Sequence, residues 1–362
     1  MAPMLRRTRQ LTRSRRLGRR LFKVALFFFS LFLFILAVVL MKDGARALAP
    51  LLQGSFVVSS PTAALGFGWL FAYVVLSGSP VAAAALTFFD AGVFDQLSTF
   101  TMITGSRMGA SFIVLFLGFL YVLRGRSRAA GLSMGLLCLA ITATTHILGL
   151  PVGLAMLNSP ALAHLPSGTS NGFQSIYDSL FAPALSWLVA MLPAWALFPA
   201  GLAMIMVSFS LFDRCLPQMT LKESHLGRMS QLIYNRWIML ALGAGITLIS
   251  MSVSVSLGIL VPLSNRGIVR RENVIPYILG ANIATFIDTL LAALLLDNPQ
   301  ASAVVVAEIG SVALVSVLIM LLAYHPFERA MLSVVTWVTS SNRNLTVFMA
   351  GIVGSPIFLL FM

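Results

Sequence analysis

The chain has 362 residues, of which 59% are hydrophobic and only 10% charged, and its mean hydropathy is +0.94. Soluble globular domains carry about one-quarter charged residues, so the composition excludes one and predicts a membrane protein. The net charge of +13 does not argue for a nucleic-acid partner, because it is concentrated between Arg6 and Lys23, beside the first apolar run, where loop charge sets membrane topology and contacts anionic lipid.

In chain order, residues 1–20 read as a basic cytoplasmic tail and 21–41 as a first transmembrane span. The run is long for the apolar region of a signal peptide, and "MKDGARALAP" beyond it offers no convincing small-x-small cleavage site. Further spans are expected at 101–123, 129–150, 184–209, 274–296, 301–323 and 345–361, each close to the roughly 20 helical residues that a bilayer core demands. Two other apolar segments, 59–92 and 237–265, are interrupted by "LSGSP" (76–80) and "MSVSV" (251–255). Residues 158–179, rich in Ser, Pro, Gly and Asn, read as an external connection within a 129–209 unit of additional spans. Residues 301–362 supply the C-terminal spans.

Loop charge orients this scheme. If each interrupted segment is a hairpin that enters and leaves on one side, all but Lys42, Arg46 and Arg107 of the 24 lysines and arginines fall on the side of the N-terminus, taken as cytoplasmic by the positive-inside rule. The first hairpin then enters from outside and the second from inside. A shift of 175 positions also places Ser77 on Ser252, Ser79 on Ser254, Gly68 on Gly243, Ile103 on Ile278 and Gly105 on Gly280. The expected fold is therefore an all-α polytopic membrane protein with two inverted repeats, 59–123 and 237–296, each holding a re-entrant broken-helix hairpin, plus peripheral spans. Interrupted segments in corresponding positions of inverted halves point to a transport site near the midplane.

The residues in and near the breaks carry the candidate chemistry. Ser77, Ser79, Ser252, Ser254 and Ser256 offer hydroxyls that donate to an oxyanion or give oxygens to a small cation, although serines also serve as small contacts between membrane helices. Arg107 places a guanidinium at membrane depth, where its planar fork suits a phosphate or carboxylate. The competing reading is an internal ion pair with Asp90, Asp95 or Asp288. Asp288 and Glu308 are intramembrane carboxylates able to take up Na⁺ or a proton. His146 reads more simply as a packing histidine than as a relay.

"PYILGANIATFIDTLLAALLL" (276–296) resembles the Gly-x-Asn-Ile-Gly-Thr-Thr signature of the sodium/phosphate cotransporter family, with Gly280, Asn282, Ile283, Ala284 and Thr285 at the matching positions. "TGSRMGASF" (104–112) stands where the other copy belongs, with Arg107 in place of its asparagine. The family's Gln-Ser-Ser-Ser motifs look like Leu76-Ser77-Gly78-Ser79 and Met251-Ser252-Val253-Ser254, both without the glutamine. The resemblance implies sodium-driven uptake of inorganic phosphate across a bacterial-type inner membrane. With the residue-level readings added, the candidate substrate contacts are Ser77, Ser79, Arg107, Ser252, Ser254, Asn282 and Thr285, and the candidate groups for the coupling ion are Ser256, Asp288 and Glu308.

No nucleotide loop, nucleophile elbow or metal-ligand spacing is present, so the sequence predicts no enzyme and no cofactor beyond sodium as a coupling ion. The expected partners are inorganic phosphate or another anion and membrane lipid, and a homo-oligomer is compatible with the sequence. Two readings stay open beside phosphate transport: an organic or lipid-like anion on the same scaffold, favoured by the apolar Leu76 and Met251, and a non-transporting structural or assembly protein.

Overall fold

The structure is a computed structural model that describes residues 2–55, 60–123, 128–163, 177–215, 235–258, 260, 271–296 and 298–362. It is an all-α polytopic membrane protein. Among the described residues, seven helices are long and apolar enough to cross a bilayer: Leu21–Pro50, Gln96–Leu120, Leu132–Leu157, Ala194–Cys215, Glu272–Leu295, Pro299–Leu322 and Asn342–Leu360. Each overlaps a span expected from the sequence.

Besides a single turn at Pro160–Ala163 and a π-helical turn at Tyr177–Phe181, the helices among the described residues are α1 (Ala2–Ser55), α2 (Pro61–Val75), α3 (Gly78–Asp90), α4 (Gln96–Ala110), α5 (Phe112–Leu123), α6 (Arg128–Leu157), α7 (Ala182–Met191), α8 (Ala194–Cys215), α9 (Arg236–Ser250), α10 (Val253–Gly258), α11 (Arg271–Ala284), α12 (Ile287–Leu295), α13 (Pro299–Leu322), α14 (Tyr324–Ser340) and α15 (Asn342–Leu360). Helix α1 runs through the basic tail and past the expected end of the first span, so 42–55 is helix and not loop. Residues 259 and 261–270, at the end of the second hairpin segment, and 164–176, in the external connection, lie outside the described residues.

Three expected spans are broken. The 101–123 span is interrupted at Ser111 (φ −65°, ψ −21°) and the 274–296 span at Thr285 and Phe286 (φ −87°, ψ 0° at Phe286), and each runs on across the interruption as one long helical stretch. The 184–209 span stops at Leu192, which is extended (φ −105°, ψ 138°) because Pro193 disfavours the helical conformation in the residue before it. Helix α14 was not expected, since its sequence "YHPFERAMLSVVTWVTS" mixes polar and apolar residues. It forms because Met331, Val335 and Val338 lie on one buried face, with helical spacing.

The two interrupted segments are built alike. Helix α2 starts at Pro61 with Ser60 Oγ accepting from Ala63 N at 3.0 Å, and α9 starts at Arg236 with Asn235 Oδ1 accepting from Trp237 N at 3.0 Å. These are N-caps that fix the helix entry. Helix α2 ends at Leu76 (φ 54°, ψ 29°) and α9 at Met251 (φ 50°, ψ 22°). Among the described residues these are the only non-glycine positions with positive φ, a left-handed conformation that costs an L-residue about 1–2 kcal/mol. They are also the two positions that align with the glutamines of the cotransporter motif that the sequence resembles.

Packing repeats with the same spacing. A Cβ on Gly68 would meet Met102 O, and one on Gly105 would meet Leu65 O; a Cβ on Gly243 would meet Tyr277 O, and one on Gly280 would meet Leu240 O. The glycines let α2 lie directly on α4, and α9 directly on α11, backbone against backbone.

Polar clusters tie the ends of the bundle. At one end, Lys42 Nζ donates to Leu296 O at 2.9 Å, while Lys42 and Arg46 pair with Asp90 at 3.4 and 3.0 Å. At the other end of the α11–α12 segment, the Tyr324 hydroxyl donates to Glu272 O at 3.2 Å, and the Arg236 guanidinium stacks 5.4 Å from the Tyr324 ring. The close of α3 and the start of α9 therefore lie at opposite ends of that segment.

The glycine contacts carry a test. Gly280→Val forces a side chain into Leu240 O and is expected to cost about 1–3 kcal/mol, whereas nothing lies within 4 Å of a Cβ at Gly354 and Gly354→Val is expected to be neutral. Thermal unfolding in detergent, read with size-exclusion profiles, distinguishes them.

Candidate functional site

Helix α3 begins immediately after the first break, with Ser77 as an extended N-cap whose side chain makes no capping bond. In the second break Ser252 Oγ accepts from Val255 N at 3.3 Å, so this hydroxyl is partly engaged in capping α10. The two breaks line one cavity of about 200 Å³, whose walls include Ser77, Ser79, Arg107, Ser252, Asn282 and Thr285. Six of the seven residues expected at the substrate thus come together; Ser254 belongs to α10, but its side chain lies outside the described residues. Helix α8 closes a further wall with Met206, Phe209, Ser210 and Asp213.

Arg107, in the last turn of α4, is 4% exposed. One terminal nitrogen donates to Ser79 Oγ and Thr285 Oγ1, each at 3.2 Å; the other donates to Thr289 Oγ1 and pairs with Asp288 Oδ1 at 3.5 Å. The guanidinium carbon lies 4.8 Å from the centroid of the Phe286 ring, a cation–π distance. Thr285, Asp288 and Thr289 are spaced i, i+3 and i+4, so helical pitch sets all three on the face turned to Arg107, across the short interruption between α11 and α12. The interruption places Thr285 at the close of one helix and Asp288 in the first turn of the next, where the helix dipole favours a carboxylate.

Of the three carboxylates proposed as ion-pair partners for Arg107, the structure selects Asp288. Asp90 is taken by Lys42 and Arg46, and Asp95 caps α4 by accepting from Ser98 N at 2.7 Å. Arg107 is therefore both buried against a carboxylate and part of the cavity wall. Arg107 Nε and Asp288 Oδ2 are buried without partners.

The remaining expected residues take other positions. Glu308, 1% exposed on α13, accepts from Thr104 Oγ1 at 2.5 Å, one helical turn before Arg107. Ser256 is held away from the cavity, accepting from Thr247 Oγ1 at 2.8 Å and sharing a 2.9 Å hydrogen bond with the Tyr277 hydroxyl. It staples α10 to α9 and α11. The Asn282 side-chain oxygen accepts from Thr142 Oγ1 at 3.2 Å, and its nitrogen donates to Thr145 Oγ1 at 3.3 Å, so α6 orients the signature asparagine. His146 Nδ1 lies 2.8 Å from Thr142 O, while its Nε2 is buried without a partner.

Sequence reasoning missed Thr289, Thr104, Thr142 and Phe286. Thr289 adjoins Asp288, and Thr104 precedes Arg107 by three residues, a same-face helical spacing. Thr142 carries no such signal, because it lies on a helix outside both interrupted segments.

Comparison with known proteins finds no matching family model, curated protein or solved structure. The likeness to sodium/phosphate cotransporters rests on the signature residues alone.

The buried pair yields a prediction. Asp288→Ala leaves the guanidinium unpaired at membrane depth and is expected to destabilise by about 3–5 kcal/mol, whereas the double variant Arg107→Met, Asp288→Leu recovers most of that loss. Thermal unfolding of the single and double variants in one detergent checks both.

Proposed function

We propose that the protein is a secondary active transporter of an oxyanion, and that its substrate is inorganic phosphate taken up with sodium by alternating access. The observation that carries this reading is the position of Arg107 in the wall of a cavity formed where two helix breaks meet. A guanidinium with hydroxyls from Ser79, Thr285 and Thr289 around it offers the donors that an oxyanion requires. Ser77 and Ser252 line the same space from the two breaks, and each break leaves backbone donors that a continuous helix would have used.

In this reading α2–α3 and α9–α10 are re-entrant hairpins of two inverted halves. Three observations support it: the left-handed turns at Leu76 and Met251, the glycine–carbonyl contacts that recur with the same spacing, and the opposite ends at which α3 closes and α9 starts. Rocking of one half against the other exposes the midplane site to each side in turn. With the N-terminus cytoplasmic, Asp90 and Lys42 mark the outer end, and Arg236 and Tyr324 the inner end.

The cavity lining favours one second reading. Leu76, Ile113, Met206, Phe209 and Met251 add apolar surface, which suits an organic anion with a hydrocarbon portion better than bare phosphate. The scaffold and the role of Arg107 stay the same.

Uptake of labelled phosphate into proteoliposomes, with and without an inward sodium gradient, tests the proposal. Gradient-driven uptake by the wild type is expected, with a loss of about a hundredfold or more in Arg107→Ala, the scale for removing a buried charged partner of an anion. Folded wild type that takes up no phosphate but accumulates an alkyl phosphonate overturns phosphate and establishes the second reading; uptake of neither overturns transport of this anion class. A further expectation separates the substrates: Leu76→Gln with Met251→Gln raises phosphate uptake and lowers uptake of the alkyl phosphonate.

A further inference from the structure

The oxyanion reading raises a question of charge that the site's own groups answer. Around Arg107 the buried ionisable groups are Asp288 on α12, Glu308 on α13 and His146 on α6, with Asp213 on α8 in the cavity wall. One guanidinium thus faces two buried carboxylates. An anion added to that set brings further negative charge into a low-dielectric region, which is strongly unfavourable unless a cation arrives with it.

The contacts of Asp288 and Arg107 bear on how such a cation is accommodated. Asp288 Oδ1 carries every interaction of that carboxylate: the ion pair with Arg107 at 3.5 Å, the Thr289 backbone N at 2.6 Å and the Thr289 hydroxyl at 3.0 Å. Its Oδ2 is buried and unpartnered, as is Arg107 Nε. The pair is therefore in contact without using its full bonding capacity. A bidentate carboxylate would bring a second oxygen to the guanidinium, and here that oxygen is idle. Asp288 is not part of the cavity lining, whereas Arg107 is, so an anion reaches the guanidinium from the cavity without crossing Asp288.

We propose that Arg107 exchanges Asp288 for the transported anion, and that the released Asp288 carboxylate takes up a small monovalent cation, so that anion and cation bind together. Asp288 Oδ2 is the oxygen that receives the cation, and Thr289, which contacts both side chains, steers the exchange. Without an anion, Arg107 neutralises Asp288 and the cation has no reason to stay. Without a cation, the anion competes with a carboxylate already in place. Cotransport then follows from one arginine shared between two acids.

Equilibrium binding of inorganic phosphate to purified wild type, Asp288→Asn and Glu308→Gln, with and without Na⁺ and at two pH values, tests this. Asparagine keeps the carbonyl oxygen that Thr289 and Arg107 use and removes the charge. In the wild type, Na⁺ or added protons are expected to raise phosphate affinity about tenfold to a hundredfold, and in Asp288→Asn phosphate binds without the cation and the response falls to about twofold or less. The Na⁺ and pH arms identify which cation serves. Wild-type cation dependence retained in Asp288→Asn, or lost in Glu308→Gln alone, overturns the exchange while leaving the oxyanion reading intact. If no folded variant binds phosphate in any condition, phosphate is overturned and the same titrations with an alkyl phosphonate decide the exchange; binding of neither removes both readings.

If Asp288→Asn does not fold, infrared difference spectra of ¹³C-aspartate-labelled Asp213→Asn protein give the answer. The exchange predicts an aspartate carboxylate band that moves when phosphate and cation bind. Phosphate binding with no aspartate change overturns it.

Discussion

A guanidinium at membrane depth must be satisfied by protein, and the placing of Arg107 governs much of what surrounds it. Its partners come from two stretches far apart in sequence: Ser79 at the start of α3, just after the first hairpin break, and Thr285, Asp288 and Thr289 around the α11–α12 interruption. The last three are spaced i, i+3 and i+4, so helical pitch sets them on one face, and Phe286 between them gives the cation an aromatic face. Ser79 completes the set from the hairpin interruption, and together these groups accommodate a charge where lipid would not tolerate it.

The same interruptions explain why Leu76 and Met251 persist in a left-handed conformation. Each ends a helix abruptly, so that the following serine starts a new direction at the cavity. A glycine would adopt the turn with less strain, but a side chain at each position adds apolar wall to the cavity. Strain of this kind is held only where surrounding structure fixes it, and here the surrounding structure is the backbone-to-backbone packing of α2 on α4 and of α9 on α11.

The architecture was legible in the sequence to the extent that it depends on apolar length and punctuation. Spans of sufficient length, the serine-rich interruptions and the pairing of Gly68 with Gly243 and Gly105 with Gly280 all leave local marks. The interruptions at Ser111 and at Thr285–Phe286 leave none, since neither glycine nor proline stands at those positions. Helix α14 was hidden for the opposite reason: its polar face lowers its hydropathy below that of a span. At the site, residue type alone marked Arg107, Asp288 and Glu308, because charge is rare in such a chain. Choosing among Asp90, Asp95 and Asp288 needed three dimensions, as did the recognition that Ser256 belongs to a packing contact and that α6 supplies the hydroxyls holding Asn282.

The four glycines that meet carbonyl oxygens also determine how the molecule deforms. At those four positions backbone lies against backbone with no side chain between, which leaves little room for α2 to slide on α4 or α9 on α11 without a clash. The helices so fixed, α2 and α9, end at Leu76 and Met251, which are themselves part of the cavity wall, so the same close contacts that pack the two pairs also hold the mouth of each turn at the cavity.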